Sequence, residues 1–168
     1  MLFKDEVENM EQLIETLSEI EELDSLVQVK VAVVGFIFDR NGNLVLHRRG
    51  PGARDEIGKL QALGGSVNGG DGNFREALIR ELAEECGSEA KFEVSSFIGA
   101  QLDGKVDGHT HTYVNWIILG YKVNHLSGEL INNEPDRCVG FEKAPMNEFD
   151  LTETSTTAAN FIKEMLNN

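Results

Sequence analysis

A chain of 168 residues is long enough for one domain with a sizeable core, and 40% hydrophobic and 26% charged residues are ordinary values for a globular protein. The formal net charge of −14 argues against a nucleic-acid polymer or an anionic membrane as the main partner. A small anionic substrate is compatible with that charge if metal ions or local basic groups offset the field. Two distant cysteines, Cys86 and Cys138, together with the lack of a long apolar run or a secretory signal, predict reduced thiols in a cytoplasmic protein.

Residues 1–26 are predicted to form an acidic amphipathic helix that precedes a single domain over residues 27–168. Nine acidic residues and one basic residue give this segment a net charge of −8, which leaves −6 for the rest of the chain. Its apolar residues recur at the helical spacing of three and four, at Val7, Met10, Leu13, Ile14, Leu17, Ile20 and Leu23. The sequence leaves open whether this helix packs on its own domain or forms a homodimer contact.

The rest of the chain mixes strands and helices. "VQVKVAVVGFIFD" predicts a long buried strand, and Asn41-Gly42 predicts a turn into a second strand, "NLVLHRR". After a loop over residues 50–59, "LQALGGSV" predicts a short strand that ends in a glycine-rich turn. A helix is expected over residues 74–87, strands near 91–102, 110–123 and 137–143, and a last helix near 153–166. Because strands and helices do not alternate regularly, we expect an α/β fold with a mixed, partly antiparallel sheet covered by helices.

The helix over residues 74–87 places Glu81, Glu84 and Glu85 on one face, where like charges repel by a few tenths of a kcal/mol per pair. Taken alone, such a face is usually a solvated surface. Upstream, however, a strand ends in Gly64-Gly65, which lets the backbone approach a ligand closely and leaves carbonyl groups free. Oxygen ligands on one face suit a hard cation such as Mg²⁺ or Mn²⁺, which would relieve the repulsion.

The segment "GGSVNGGDGNFREALIRELAEECGS" resembles the Nudix box. Its second half matches the family pattern closely, at Arg80, Glu81, Leu82, Glu84, Glu85 and Gly87. Its first half has one residue more than the pattern, so that Asp71 stands near the position of the family's glutamate. The opening hairpin and the segment "NNEPDRCVGFEKAPMNEF" also resemble MutT-like members, and the resemblance covers about residues 28–165.

The resemblance implies a Nudix-like α/β/α sandwich, extended here by the N-terminal helix. It also implies hydrolysis of a nucleoside diphosphate derivative by metal-activated water. Glu81, Glu84 and Glu85 would bind Mg²⁺ or Mn²⁺, and the Gly65 carbonyl would complete a metal shell. Glu81 is the preferred acceptor of the water's proton. Arg80 is expected to orient the carboxylates or to pair with Asp71.

Three further residues are candidates for contact with a substrate: Arg48, Arg49 and Glu134. The two arginines could meet phosphates, but a basic strand end capped by solvent explains them equally well. Glu134 is the candidate for the further acid that family members often recruit, with Asp136 and Glu142 as rivals. Trp116 is expected in the core, although stacking on a base stays open.

The leading functional prediction is hydrolysis of a nucleoside triphosphate to a monophosphate and pyrophosphate. The alternative substrate is ADP-ribose or a similar dinucleotide. A non-catalytic domain that binds a nucleotide is disfavoured, because such domains typically lose glutamates of the box and all three are present here. A scaffold whose acidic helix mediates oligomerisation is compatible with either reading.

Overall fold

The computed structural model describes residues 28–106 and 113–168. The predicted helix over residues 1–26 and its predicted dimer contact therefore lie outside the described residues. No helix within those two ranges combines the length and the apolarity needed to span a bilayer. Cys86 and Cys138 are free and buried, and burial raises the pKa of the Cys86 thiol to about 12.

A mixed sheet of seven strands organises the described part of the chain. The strands are β1 (Gln28–Phe38), β2 (Leu44–Arg49), β3 (Leu60–Gln61), β4 (Leu63–Ser66), β5 (Lys91–Val106), β6 (Tyr113–Ser127) and β7 (Cys138–Ala144). Their order is β3-β2-β1-β6-β5, with β4 paired to β1 and β7 paired to β2. β1 and β6 run parallel over the whole length of β1, and the other strand pairs are antiparallel.

Side-chain alternation along β1 builds a core on each face of the sheet. Val33 and Ile37 pack with Leu78 and Leu82 of the helix α1 (Phe74–Cys86). The intervening residues of β1, including Phe36, pack on the other face with the helix α2 (Thr156–Asn167). The helices thus cover opposite faces, and the predicted α/β/α sandwich with a mixed sheet is confirmed.

Local hydrogen bonds set the ends of α1. The Asn73 side chain caps the helix by accepting a hydrogen bond from the Glu76 amide at 3.0 Å, and it donates one to the Glu76 carboxylate at 2.9 Å, which holds the cap in place. Gly87 ends the helix at φ 88°, a left-handed conformation that favours glycine. The predicted helix over residues 74–87 therefore agrees with the structure to within one residue.

Other helices and strands begin or end at residues different from those predicted, because contacts between distant parts of the chain set their ends. α2 starts at Thr156, three residues later than predicted. The residues before it are held in an extended conformation by Leu60, whose amide donates a hydrogen bond to the Glu153 carbonyl and whose carbonyl accepts one from the Ser155 amide. Ser155 instead caps the helix by accepting a hydrogen bond from the Ala158 amide. "LQALGGSV" is not one strand but two, because β3 pairs with β2 whereas β4 pairs with β1. β5 and β6 run four residues beyond their predicted ends, and a short 3-10 helix lies at Met146–Glu148.

Candidate active site

A cavity of about 590 Å³ opens between β4, α1, the loop over residues 50–58 and the segment before β7. One side is acidic and carries Glu81, Glu84, Glu85 and Glu134, with Arg80 among them. The opposite side carries residues of β1, β2, β6 and the loop, including Lys30, His47, Arg49, Arg54, Gln61 and Trp116. The cavity therefore joins a group of carboxylates to a wall that holds several cations.

The Gly64-Gly65 pair lets α1 approach β4 closely. The Gly64 amide donates a hydrogen bond to Glu85 Oε2 at 2.8 Å, and its φ of 142° lies where other residues are strained. A Cβ atom on Gly65 would clash with the carboxylate of Glu81. Both glycines are thus required for the close contact between the strand end and the carboxylates, as the sequence pattern indicated.

Arg80 connects the carboxylates to the loop that precedes α1. Its Nε and Nη2 atoms donate to the two oxygens of Asp71, at 2.8 and 3.0 Å, and Nη2 also donates to the Ser66 carbonyl. Its Nη1 atom donates to Glu81 at 2.7 Å and to Glu84 at 3.3 Å. The expected pair of Arg80 and Asp71 is therefore present, although the loop is one residue longer than the family pattern.

Asp71 is held firmly in this arrangement. Its side chain is only 7% exposed, and the hydrogen bonds from Arg80 and from the Asn68 amide lower its pKa to about 2. Asp71 is therefore ionised at neutral pH and fixes the plane of the guanidinium by a bidentate bond. Arg80, fixed in this way, restrains one oxygen each of Glu81 and Glu84.

The carboxylates on the acidic side of the cavity repel one another. Burial raises the pKa of Glu85 well above its ordinary value, and the charges of Glu134 and Glu81 raise it further, against the opposing Gly64 hydrogen bond. Burial also raises the pKa of Glu81, with Arg80 opposing and Glu84 and Glu134 adding to the shift. The carboxylates therefore lie close enough to repel one another in a partly desolvated position.

This set of oxygen donors fits a divalent cation, because a positive ion would offset the repulsion and hard cations prefer carboxylates and carbonyl groups. Among residues 28–106 and 113–168, no three His, Cys, Asp or Glu side chains are already gathered around one point as metal ligands. Arg80 and the Gly64 amide instead hold oxygens of the three helix glutamates. Each of these hydrogen bonds uses one oxygen of its glutamate, so the second oxygen of each carboxylate could contact an ion.

Trp116 belongs to the core cluster beneath α2, as the sequence predicted, and it also borders the opposite side of the cavity. Its side chain is only 5% exposed, yet it lines the cavity, and its buried Nε1 atom has no hydrogen-bond partner. Lys30 Nζ lies 5.5 Å and Arg54 Cζ 4.7 Å from the centre of its ring, within range of cation–π attraction. Sequence reasoning missed Lys30, which faces Trp116 only through the parallel register of β1 and β6.

The two arginines at the end of β2 point in different directions. Arg49 lines the cavity, and its guanidinium donates to the carboxylate of Asp55 at 2.6 Å. Arg48 is not among the lining residues, since its guanidinium binds Glu142 at 2.7 Å and the Gly58 carbonyl at 2.6 Å. Neighbouring strand residues face opposite sides, so the prediction that Arg48 contacts substrate is not retained.

Glu134 lies across from α1 and lines the cavity. Its carbonyl accepts hydrogen bonds from the amides of Arg137 and Cys138, which fold the segment before β7 into a tight turn. The carbonyls of Asp136 and Arg137 in turn accept bonds from the amides of Gly52 and Gly50 at 2.8 and 2.6 Å. The loop that carries Arg54 is therefore fastened to the turn that carries Glu134.

Comparison with known proteins places this architecture in a family. Residues 28–165 match the NUDIX domain, and the chain belongs to the Nudix family. The predicted enzyme class, a Nudix pyrophosphohydrolase, is thereby confirmed together with the fold class.

One curated relative and several solved structures are similar to the chain. It is 30% identical to the CTP pyrophosphohydrolase of Escherichia coli (strain K12) over 118 residues, which cover 68% of this chain and 84% of that protein. The MutT protein from Methanosarcina mazei Go1 has a similar fold, with a TM-score of 0.65 at 17% identity, covering 86% of this chain and 97% of that one. The solution structure of the E. coli ORF135 protein gives a TM-score of 0.63 at 21% identity, and the match covers 84% of this chain and 91% of that one.

Proposed function

We propose that the protein is a divalent-metal-dependent hydrolase that cleaves a nucleoside triphosphate into a monophosphate and pyrophosphate. The observation that carries the proposal is the group of mutually repelling carboxylates, Glu81, Glu84, Glu85 and Glu134, on one side of a cavity with a cationic opposite side. Such a cavity can bind the two ends of a nucleotide, the phosphates through metal ions on the acidic side and the acceptor groups of the nucleoside through Lys30 and Arg54 on the opposite side. The relative named as a CTP pyrophosphohydrolase supports a triphosphate substrate.

Three helix glutamates and one backbone group would hold the metal. Glu81, Glu84 and Glu85 would supply carboxylate oxygens to Mg²⁺ or Mn²⁺, the Gly65 carbonyl would add a further oxygen, and Glu134 would approach from the opposite segment. When bound, the ion neutralises phosphate charge and makes a water molecule more acidic. Nudix hydrolases in general use divalent metals, which agrees with this donor set.

The chain's own groups position the reaction. Arg80 holds Glu81 and Glu84 in place through its bonds to Asp71 and Ser66. The Glu81 side chain is only 15% exposed and Arg80 holds one of its oxygens, so we assign to Glu81 the proton of the attacking water. The cavity walls exclude part of the bulk solvent and strengthen these electrostatic contacts.

We further propose that the nucleoside end of the substrate binds beside Trp116. The Lys30 and Arg54 cations beside the ring favour a ligand rich in hydrogen-bond acceptors. Such an environment suits the carbonyl-bearing edge of a base or the oxygens of a sugar phosphate. The volume of about 590 Å³ is in the range of small-ligand sites.

A panel of substrates tests the proposal. Nucleoside triphosphates, ADP-ribose and a dinucleoside polyphosphate are incubated with Mg²⁺, and the products are separated by chromatography. The expected result is pyrophosphate and a monophosphate from at least one triphosphate, with no AMP from ADP-ribose. AMP from ADP-ribose without turnover of triphosphates would establish the alternative substrate class, and inactivity towards the whole panel would favour a nucleotide-binding domain. A cytoplasmic location and a homodimer stay predictions.

A further inference from the structure

The sheet face covered by α1 continues beyond the helix as an apolar surface. We call it the apolar ledge, and it consists of Val29, Val31, Leu102, Val106 and Tyr113. The strand registers place these residues on one face, since Val31 and Leu102 both pair with Ile117, and Val106 pairs with Tyr113. Leu102, Val106 and Tyr113 are 59%, 60% and 54% exposed, while Val29 and Val31 are partly buried against the core.

The ledge lies where the described chain begins. Gln28, the first residue of β1, pairs with Val114 at the same end of the sheet as Val106 and Tyr113. Only four residues separate Gln28 from Leu23, the last member of the apolar stripe in the N-terminal segment. The five Cα–Cα steps from Leu23 to Gln28 span at most about 18 Å, so the end of the stripe cannot lie far from the ledge.

We propose that the apolar stripe of residues 7–23 docks on the apolar ledge of the same chain. As a helix the stripe would be about 24 Å long, enough to cross the ends of β1, β6 and β5, which lie about 5 Å apart. Glu8, Glu11, Glu15, Glu19 and Glu22 lie on the opposite face of such a helix and would then face solvent. Exposed apolar strand ends are typical interaction surfaces, and the short connection gives the stripe a millimolar effective concentration that a second copy does not have.

Amide hydrogen exchange in the full-length protein tests the docking. Val106→Asp places a charge on the ledge, and Val139→Asp is the matched control, because Val139 is also a strand valine, 65% exposed, on β7. We expect peptides within residues 7–23 to be protected in the wild type, and Val106→Asp to speed their exchange about tenfold or more. Val139→Asp should leave the exchange unchanged. The reciprocal variant Leu17→Asp should remove the protection without touching the sheet.

The mass in solution, measured across a range of protein concentrations, shows whether the stripe docks on its own chain or on a second copy. Protection that persists on dilution in a monomer supports docking within one chain. Exchange of residues 7–23 at the unprotected rate in the wild type would overturn the proposal, as would equal effects of the two valine variants. Protection that disappears together with a dimer on dilution would show that the segment covers a second copy, and would also overturn docking within the chain.

Discussion

Glu81, Glu84 and Glu85 of α1 form what we call the carboxylate platform, and Arg80→Lys removes the hydrogen bonds that orient it while keeping the positive charge at position 80. Arg80 donates five hydrogen bonds, two to Asp71, one each to Glu81 and Glu84, and one to the Ser66 carbonyl. A lysine ammonium has three donors at one point and cannot form the bidentate bond to Asp71 or reach the other acceptors at the same time. The variant should therefore release Glu81 and Glu84 from their restrained positions.

The size of the effect follows from the role of Arg80 as a group that orients ligands. Loss of such a group typically lowers metal affinity or activity by about 10–100-fold. That range corresponds to about 1.4–2.7 kcal/mol of transition-state stabilisation. We expect kcat/KM for the preferred triphosphate to fall within this range, and the Mg²⁺ concentration needed for half-maximal activity to rise.

The assay is pyrophosphate release across a Mg²⁺ titration, with Arg75→Lys as the control. Arg75 lies on the same helix but donates to the Val94 carbonyl and lies over the Tyr121 ring, away from the carboxylates. Arg75→Lys should therefore keep nearly full activity. Wild-type activity and Mg²⁺ dependence in Arg80→Lys, or an equal loss in both variants, would refute the positioning role.

Three further predictions concern the same cavity. Gly65→Ala should keep the fold but lower activity by about tenfold or more, because its methyl group displaces the flexible carboxylate of Glu81; normal activity would contradict this. The pKa of Glu85 in the folded protein lies above its ordinary value of 4.5. The free energy of unfolding of the metal-free protein therefore falls as the pH rises from 4.5 through the raised pKa, because the folded state then has to hold a buried negative charge. Glu85→Gln should therefore raise the Tm at neutral pH in EDTA and abolish stabilisation by Mg²⁺, and a lower Tm would oppose the reasoning. Since the chain has one tryptophan, Trp116, a nucleoside triphosphate should change the fluorescence of Glu84→Gln whereas pyrophosphate should not; equal responses would place the nucleoside elsewhere.

The carboxylate platform could be predicted because its signals are local. Glu81, Glu84 and Glu85 share a helix face through spacings of three and four residues, and the Asn73 and Gly87 caps are also coded within a few positions. The pairing of Arg80 with Asp71 is also local, because only the end of the loop before α1 and the first turns of that helix separate the two residues.

The opposite side of the cavity depends on contacts that the sequence does not encode locally. Trp116 lies beside Lys30 because β1 and β6, which are far apart in the chain, pair in parallel with these two residues opposite each other. The alternation of apolar and polar residues along each strand does not show which residues of two strands lie opposite each other. The same alternation separates Arg49 from Arg48, but the sequence does not say which strand face borders the cavity. The later start of α2 likewise depends on Leu60, a residue nearly a hundred positions upstream.

The most direct test of the account is pyrophosphate release with Mg²⁺ by the wild type, Glu84→Gln and Glu76→Gln. Glu84 lines the cavity, whereas Glu76 lies in the first turn of the same helix, where its carboxylate accepts a hydrogen bond from the Asn73 side chain. A bound metal ion supplies several kcal/mol to the reaction, so Glu84→Gln should lower the rate by at least about a hundredfold. Glu76→Gln should stay close to the wild type, and EDTA should stop the reaction. Equal rates for the wild type and Glu84→Gln, or activity that persists in EDTA, would contradict a carboxylate platform that works through a divalent ion.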